Sequence, residues 1–487
     1  EIYTLSLHDA LPISSWRMLK ERKRGLESGK RRNIDFTEGS VYKELIAFSL
    51  PLLTGNLLLQ LYFIADAVIV GRLIGSQALA SVGTVTTITG LVIFFFQGIA
   101  SGGGILISQA VGAQEIGRIR NFVIGGVFFT VIFGIIISLV SYFLAPYVLK
   151  LINVPEDIFS QALLYLRIFL GGILPLLIFN MGGAFLQAMG NSKTPLYYLG
   201  LASFVNIGLD IFFVTQMGMG VEGTAIATVI AMIISALLIM ISVNKSIKAY
   251  DCSAEKDEKE EIEENYIHII EKIWRLGFPI GVQSTVIGLS NVVVQNHINL
   301  LGSATIAAWA AFCRIDTFVI MPFMSVGLAI MTFVGQNFGA GKGARIAEGE
   351  KAAKIITFTV TISISLILIM IPGFFYGFFT RDSQVVELAV SMTRLMVPFY
   401  FLIALTKVYT SIVSGMGDSK TPLYVNLAFM CVYRVILIPI LSKVFGNSMS
   451  IIYATYYSSW ILSYIAIKIY YMIKGKRILN TITEGEK

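Results

Sequence analysis

The sequence predicts an all-α integral membrane protein with twelve transmembrane helices in two pseudo-symmetric six-helix lobes. Three observations predict this fold: an apolar composition, a series of long apolar runs, and a polar phrase that occurs twice. Of the 487 residues, 55% are hydrophobic and only 14% are charged, whereas about a quarter of the residues in a soluble domain are charged. With a mean hydropathy of +0.76, the chain has too little polar surface to cover a water-soluble body.

Long apolar runs give the predicted membrane spans, because about 20 apolar residues are the length of a helix that crosses a bilayer. The predicted spans are about 46–70, 82–110, 122–145, 160–186, 196–216, 223–244, 276–300, 306–335, 353–378, 388–412, 423–445 and 451–473.

A charged stretch between the sixth and seventh spans, DCSAEKDEKEEIEENY, divides the spans into two sets of six. Basic residues concentrate in the first tail, in alternate loops and in the last tail, so we expect both termini and this stretch to be cytoplasmic. The predicted organisation is a basic tail (15–45), a first lobe (46–244), a charged linker (245–275), a second lobe (276–473) and a final tail (474–487).

The first residues are interpreted separately. The stretch TLSLHDALPI (4–13) resembles the translation of a common short-read sequencing adapter. We therefore expect residues 1–14 to be an assembly artefact, with Met18 as one candidate start, and we leave them out of the fold prediction. The alternative is a genuine short tail.

The repeated phrase is AMGNSKTPLYY at 188–198 and GMGDSKTPLYV at 415–425, which are 227 residues apart. The same offset relates Gln109 to Gln336, Gly112 to Gly339 and Arg118 to Arg345. One constant offset over more than a hundred residues indicates a duplicated six-helix unit. Because six is even, both copies insert the same way up, as in transporters with parallel repeats.

Within the phrase, the Asn or Asp and the following Ser suit a turn. Thr194 and Thr421 suit helix N-caps, and Pro195 and Pro422 suit the first helical position. We therefore interpret the phrase as a marker of the fold.

Ionisable side chains inside a membrane span are costly and need a reason. Asp66 lies in the first predicted span and Asp210 in the fifth, and Asn206 lies on the same helix face as Asp210. With Thr228 from the sixth span, these residues form an oxygen-rich set that suits a proton or a hard cation. The alternative is a polar cluster that only holds three helices together.

The second half lacks these carboxylates, since Val293, Tyr433 and Leu437 occupy the related positions. This asymmetry predicts one cation site, in the first lobe. The charges of the second half are Arg314, Asp316, Arg394, Lys407 and Arg434. We expect Asp316 to balance one of these cations. A cargo role and a structural role, either interhelical pairing or snorkelling, both remain open for this group.

Several other classes of protein are disfavoured. The net charge of +7 does not predict nucleic-acid binding, because the basic residues lie between the spans. The three cysteines are too scattered for a disulfide framework or a metal site. GAGKGA (339–344) lacks the glycine spacing and the hydroxyl residue of a phosphate-binding loop. No metal or cofactor is expected.

The chain resembles the multidrug and toxic compound extrusion (MATE) family over about residues 36–473. The motifs that carry the resemblance are FSLPLL, ADAVIVGRLIGSQALA, SQAVGAQ, QAMGNSKTP, NIGLDIFF followed by GVEGTAIAT, VGQNFGAGK and GMGDSKTP. The resemblance implies two six-helix lobes that form a V, open alternately to either side. It also implies export of cationic or amphipathic drugs or metabolites, driven by inward movement of protons or sodium ions.

Four residues match the family's N-lobe cation site: Asp66, Asn206, Asp210 and Thr228. The match is to the branch without an acidic residue in the seventh span, and this seventh span has none. The resemblance further implies a multi-pass protein of the bacterial plasma membrane that works as a monomer among lipids, with no nucleic-acid partner.

Three rival functions are a lipid-linked saccharide flippase of the same superfamily, a membrane enzyme and a channel. The flippase would have a strongly cationic cavity, for which Arg314, Lys407 and Arg434 leave room. The enzyme would need a nucleophile with its base, or a metal cluster, and a lone buried His297 supplies neither. Duplicated lobes suit alternating access better than a continuous pore.

Overall fold

A computed structural model of the protein describes residues 33–251, 265–378 and 380–485. The predicted artefact (1–14), most of the basic tail and residues 252–264 of the charged linker lie outside the described residues. The described chain is helical throughout, as the composition predicts, with short breaks between the helices.

The helices of the first half are α1 (Val41–Ile69), α2 (Ser76–Gly112), α3 (Ile116–Leu151), α4 (Glu156–Gly171), α5 (Leu174–Ala188), α6 (Lys193–Thr215) and α7 (Val221–Asp251). The helices of the second half are α8 (Tyr266–Asn299), α9 (Ser303–Gly339), α10 (Gly343–Met370), α11 (Pro372–Tyr376), α12 (Ser383–Met396), α13 (Tyr400–Gly415), α14 (Lys420–Asn426), α15 (Tyr433–Phe445), α16 (Met449–Tyr470) and α17 (Lys476–Gly485).

In the described part of the chain, ten helical segments are long and apolar enough to cross a membrane. An eleventh span results if α4 and α5, which meet at a 48° bend, are counted together. These two helices occupy the fourth predicted span. The twelfth predicted span corresponds to α16, which is not among the ten. The structure therefore has a helical segment at each of the twelve predicted positions.

Helices α2 and α8, which belong to different halves, cross each other towards one end of the bundle. Gly98 and Gly102 of α2 lie against Gly281 and Gly277 of α8, so α8 runs antiparallel to α2 and begins where α2 ends. We call this end, to which the segment between α7 and α8 connects, the linker end. Glycine at these positions lets the two helix backbones touch.

The first helix of each half begins in the core of the other half. Val41, Leu45 and Phe48 of α1 belong to an apolar cluster with residues of α9, α10 and α13, whereas Ile269 and Ile273 of α8 belong to the main cluster of the first half. A third cluster fills the rest of the second half, from Val294 to Trp460. The beginning of α1 therefore packs in the core of the second lobe, and the beginning of α8 packs in the core of the first lobe.

Two segments predicted as tails are packed structure. Phe36, Val41 and Leu45, inside the predicted tail 15–45, are buried. In the predicted tail 474–487, α17 buries Leu479.

The repeated phrase ends one helix and begins the next in both halves. Gly190 and Gly417 have φ of +83° and +94°, values that favour glycine. Helices α6 and α14 begin at the lysine of the phrase, and the Thr194 N–H donates to Asn191 Oδ1 (3.1 Å) as the Thr421 N–H does to Asp418 Oδ1 (3.1 Å). The capping acceptors are Asn191 and Asp418, so the prediction that the threonines are N-caps is wrong.

Candidate functional site

Three helices of the first half bring the predicted cation-site residues together. Helix α6 packs along both α1 and α7. Asp66 on α1 is 9% exposed, and Asn206 and Asp210 on α6 and Thr228 on α7 are 1%, 0% and 4% exposed. All four side chains are therefore buried among apolar helices of the first half.

The Asp66 and Asp210 carboxyl groups interact directly, although they are far apart in sequence. Each has its Oδ1 atom buried without a hydrogen-bond partner. Two ionised carboxylates in contact repel each other strongly in a medium of low dielectric constant. The arrangement is therefore favourable when a proton is shared between the two groups or a cation lies beside them.

Asn206 joins Asp210 to Thr228. With the amide nitrogen turned towards Asp210, it donates to Oδ2 at 3.0 Å, and the amide oxygen lies 3.2 Å from Thr228 Oγ1 and 3.1 Å from the Thr228 backbone N. The opposite orientation would place the amide oxygen against a carboxylate oxygen. The first orientation thus gives both polar atoms of the Asn206 amide a complementary partner and fixes the position of Asp210.

Two tyrosines complete the cluster, and the sequence analysis missed both. The side chains of Tyr62 on α1 and Tyr165 on α4 lie close enough to Thr228 and the two carboxyl groups to interact with them electrostatically. Tyr62 precedes Asp66 by four residues and lies on the same helix face, which is a signal that the sequence offered. Tyr165 stands among apolar residues of α4 and gave no such signal.

The cluster can bind a proton or a hard cation. It presents carboxylate, amide and hydroxyl oxygens, the ligand types that hard cations prefer. In the part of the chain that the structure describes, no group of three or more His, Cys, Asp and Glu side chains could hold a metal ion.

The charged residues predicted as a network in the second half have other contacts than ion pairs in the described structure. Asp316 accepts a hydrogen bond from the Tyr400 hydroxyl. Among the described residues, none of the ion pairs includes Asp316, Arg314, Lys407 or Arg434. The hydrogen-bond partner of Asp316 is thus a tyrosine on α13, and a role of Asp316 in balancing a cation stays a prediction.

The cations of the second half have other surroundings. Buried Arg434 lies 4.0 Å over the Tyr456 ring and donates to Ser459 Oγ at 2.9 Å. Lys407 is half-buried, and its stem packs against Gly327, where an added Cβ would lie 2.8 Å from Cε. Arg314 is exposed. An aromatic face can stabilise a guanidinium without an anion, whereas Lys407 has neither an anion nor a ring beside it among the residues that the structure describes.

Comparisons with known proteins agree with this architecture. The family model described as MatE matches residues 51–212 and 279–440, once in each half. A relative from Bacillus subtilis (strain 168), "Probable multidrug resistance protein YpnP", is 28% identical over 402 residues, which cover 82% of this chain and 88% of the relative. "Probable multidrug resistance protein NorM" from Thermotoga maritima is 23% identical over 398 residues, which cover 79% and 82%.

The fold also matches solved structures. One described as "Outward-facing conformation of a multidrug resistance MATE family transporter of the MOP superfamily" aligns with a TM-score of 0.81 at 18% identity, over 92% of this chain and 98% of that one. The family model covers more than half of the chain, in two copies that correspond to the duplication read from the sequence. The chain therefore belongs to the MatE family of membrane transporters.

Proposed function

We propose that the protein is a secondary active multidrug efflux transporter. It exports cationic or amphipathic small molecules by antiport against protons or sodium ions, through alternating access. The relatives named as multidrug resistance proteins support the efflux function. The observation that carries the coupling proposal is the buried contact between the Asp66 and Asp210 carboxyl groups.

The contact gives the ion a direct effect on the protein. When the two carboxylates are empty and ionised, their repulsion favours an arrangement in which water reaches them or the helices separate. A proton or sodium ion that enters from outside removes the repulsion and favours the packed arrangement. Asn206 and Thr228 hold Asp210 in place, and Tyr62 and Tyr165 line the same cluster.

The second half is proposed to form the surface that contacts the cargo opposite the cation site. Lys407 is a basic side chain without an anionic partner among the described residues. An intramembrane cation of this kind is a candidate contact for substrate. Arg314 and Arg434 are proposed as further members of the cargo surface. The same positive charges favour the second candidate function, a flippase for a lipid-linked saccharide with an anionic head group.

The basic residues give the proposed orientation, in which both termini and the linker end face the cytoplasm of a bacterial plasma membrane. The transporter is proposed to act as a monomer surrounded by lipid.

Transport by the purified protein in proteoliposomes tests these proposals. A proton gradient and a sodium gradient are imposed separately, and movement of a cationic dye and of a lipid-linked saccharide analogue is followed. Dye movement that one gradient drives, and that an ionophore for that ion abolishes, supports antiport. Saccharide movement without any response of the dye contradicts multidrug efflux and supports the flippase.

A further inference from the structure

The linker end holds hydrogen bonds between the two halves that occur as a symmetric pair. Gln109 Nε2 at the end of α2 donates to the Gly415 carbonyl oxygen at 2.9 Å, and Gln336 Nε2 at the end of α9 donates to the Ala188 carbonyl oxygen at 2.7 Å. The offset of the sequence repeat relates these residues. Each glutamine therefore caps the last turn of a helix that belongs to the other half.

The backbones beside the two glutamines are in direct contact. A Cβ atom at Gly112 would lie 1.8 Å from the Gln336 carbonyl oxygen, and one at Gly339 would lie 1.9 Å from the Gln109 carbonyl oxygen. No room for a methyl group exists at either position, so the two glycines allow α2 and α9 to meet closely enough for the glutamines to reach across.

A short segment before α1 extends this contact. We call residues 34–39 the strap. The Ile34 N–H donates to the Gly190 carbonyl oxygen at 2.9 Å, in the first half. The Phe36 N–H donates to Gln336 Oε1 at 3.1 Å, and the Phe36 ring is buried with ring centroids 5.5 Å from Phe333. Gln336 thus binds the strap with one end of its amide and the first half with the other.

Basic side chains hold the strap on the second half. Arg345 donates to the carbonyl oxygens of Phe36 (2.8 Å), Glu38 and Gly39 (3.0 Å), and it forms an ion pair with Glu44 (3.1 Å). Lys342 Nζ donates to the Thr37 carbonyl oxygen at 2.9 Å. Arg118 is related to Arg345 by the repeat, but it pairs only locally with Glu115. The strap is therefore anchored to one half and reaches the other through Ile34.

We propose that the glutamine pair, the two glycines and the strap form a polar lock that holds the linker end closed and has to break before that end can open. The bonds of the lock that cross between the halves start from residues 109–112 and 188–190 of the first half. They end on the strap, which is anchored to the second half, and on residues 336–345 and 415 of the second half. Separation of the halves at this end breaks them together, because Gln109 and Gln336 belong to the same backbone contact between α2 and α9 and Gln336 also binds the strap. The lock goes beyond the proposed function, since it concerns the conformational equilibrium and not the ion or the cargo.

Distance measurements between spin labels test the lock without any transport assay. Lys193 and Lys420 are exposed, lie at the linker end in different halves and are related by the repeat. The labels are attached to K193C and K420C after Cys252, Cys313 and Cys431 have been replaced by serine. Loss of one neutral hydrogen bond should raise the ratio of open to closed molecules about 2- to 12-fold.

Four variants give the expected pattern. Gln109→Met and Gln336→Met should each increase the long-distance population, with the larger effect for Gln336 because it also loses the strap. Arg345→Gln should do the same, while Arg118→Gln should leave the distances unchanged.

A variant with an added methyl group tests the backbone contact between α2 and α9. Gly112→Ala should shift the population to long distances, whereas Gly208→Ala, where an added Cβ meets nothing within 4 Å, should not. Size-exclusion profiles identify any variant that fails to fold. Unchanged distances in folded Gln109→Met and Gln336→Met overturn the proposal, as does an equal shift in Arg118→Gln and Arg345→Gln.

Discussion

Replacement of Gly98 by alanine should force the two halves apart at the crossing of α2 and α8. The new Cβ would lie 2.2 Å from the Gly281 nitrogen and 2.4 Å from its Cα atom. Carbon atoms in ordinary contact are about 3.5–4.0 Å apart, so the backbones have to separate by more than about 1 Å. Overpacking of this kind costs about 1–3 kcal/mol in a well-packed core.

A thermal-unfolding measurement in detergent tests this prediction. Gly98→Ala should unfold at a temperature a few degrees below that of the wild type. Gly83→Ala is the matched control, because Gly83 also lies on α2 and a Cβ there meets nothing within 4 Å. This control should unfold at the wild-type temperature or slightly above it, since alanine favours a helix more than glycine does. Equal unfolding temperatures for the two variants would refute the close approach of α2 and α8.

Three further predictions concern single side chains. Thr228→Val removes the hydroxyl that Asn206 and two tyrosines contact, so gradient-driven efflux should fall by about 5- to 150-fold for a loss of about 1–3 kcal/mol. The control is Thr224→Val, which should transport normally because the Thr224 hydroxyl donates to the Val221 carbonyl oxygen. Equal transport rates in the two variants would contradict the role of Thr228. Lys407→Met should raise the ratio of cationic-dye efflux to efflux of an anionic dye of similar size, while Lys407→Arg should keep the wild-type ratio. If Lys407→Met leaves this ratio unchanged, Lys407 does not belong to the cargo surface. Burial disfavours the charge of Asp418, but hydrogen bonds from Tyr470 and Thr421 outweigh it and hold the pKa of this carboxyl below its usual value. The resulting stability is present above about pH 4 and is lost as the pH falls through the lowered pKa. The difference in unfolding temperature between the wild type and Asp418→Asn should therefore shrink below about pH 4. A difference that stays constant with pH would show that the charge of Asp418 does not contribute to stability.

The fold was predictable because its main signals are local and periodic. Apolar runs gave the helical segments, and the constant offset gave the duplication that the two matches of the family model also show. The exchange of α1 and α8 between the two cores was not predictable in this way. It depends on apolar residues such as Leu45 and Ile269, whose side chains would suit either core equally well.

The candidate cation site was predictable for a different reason. Carboxylates are rare inside membrane spans, so Asp66 and Asp210 stood out, and helical spacing connected Asn206 to Asp210. Tyr165 could not be found because tyrosine is common in these spans and no carboxylate stands one helical turn from it. The partner of Asp316 was missed because the prediction considered only opposite charges, whereas the Tyr400 hydroxyl satisfies the carboxylate.

The central claim is that the paired acids of α1 and α6 couple the ion to the cargo. The most direct measurement is gradient-driven cargo accumulation in proteoliposomes by Asp66→Asn and Asp210→Asn, each beside Asp157→Asn, which changes an exposed acid in the first turn of α4. Both site variants should lose accumulation while their equilibrium binding of cargo stays within a few-fold of the wild type, and Asp157→Asn should accumulate cargo at the wild-type rate. If correctly folded Asp66→Asn and Asp210→Asn proteins accumulate cargo at wild-type rates, the two acids are structural and the coupling proposal is wrong.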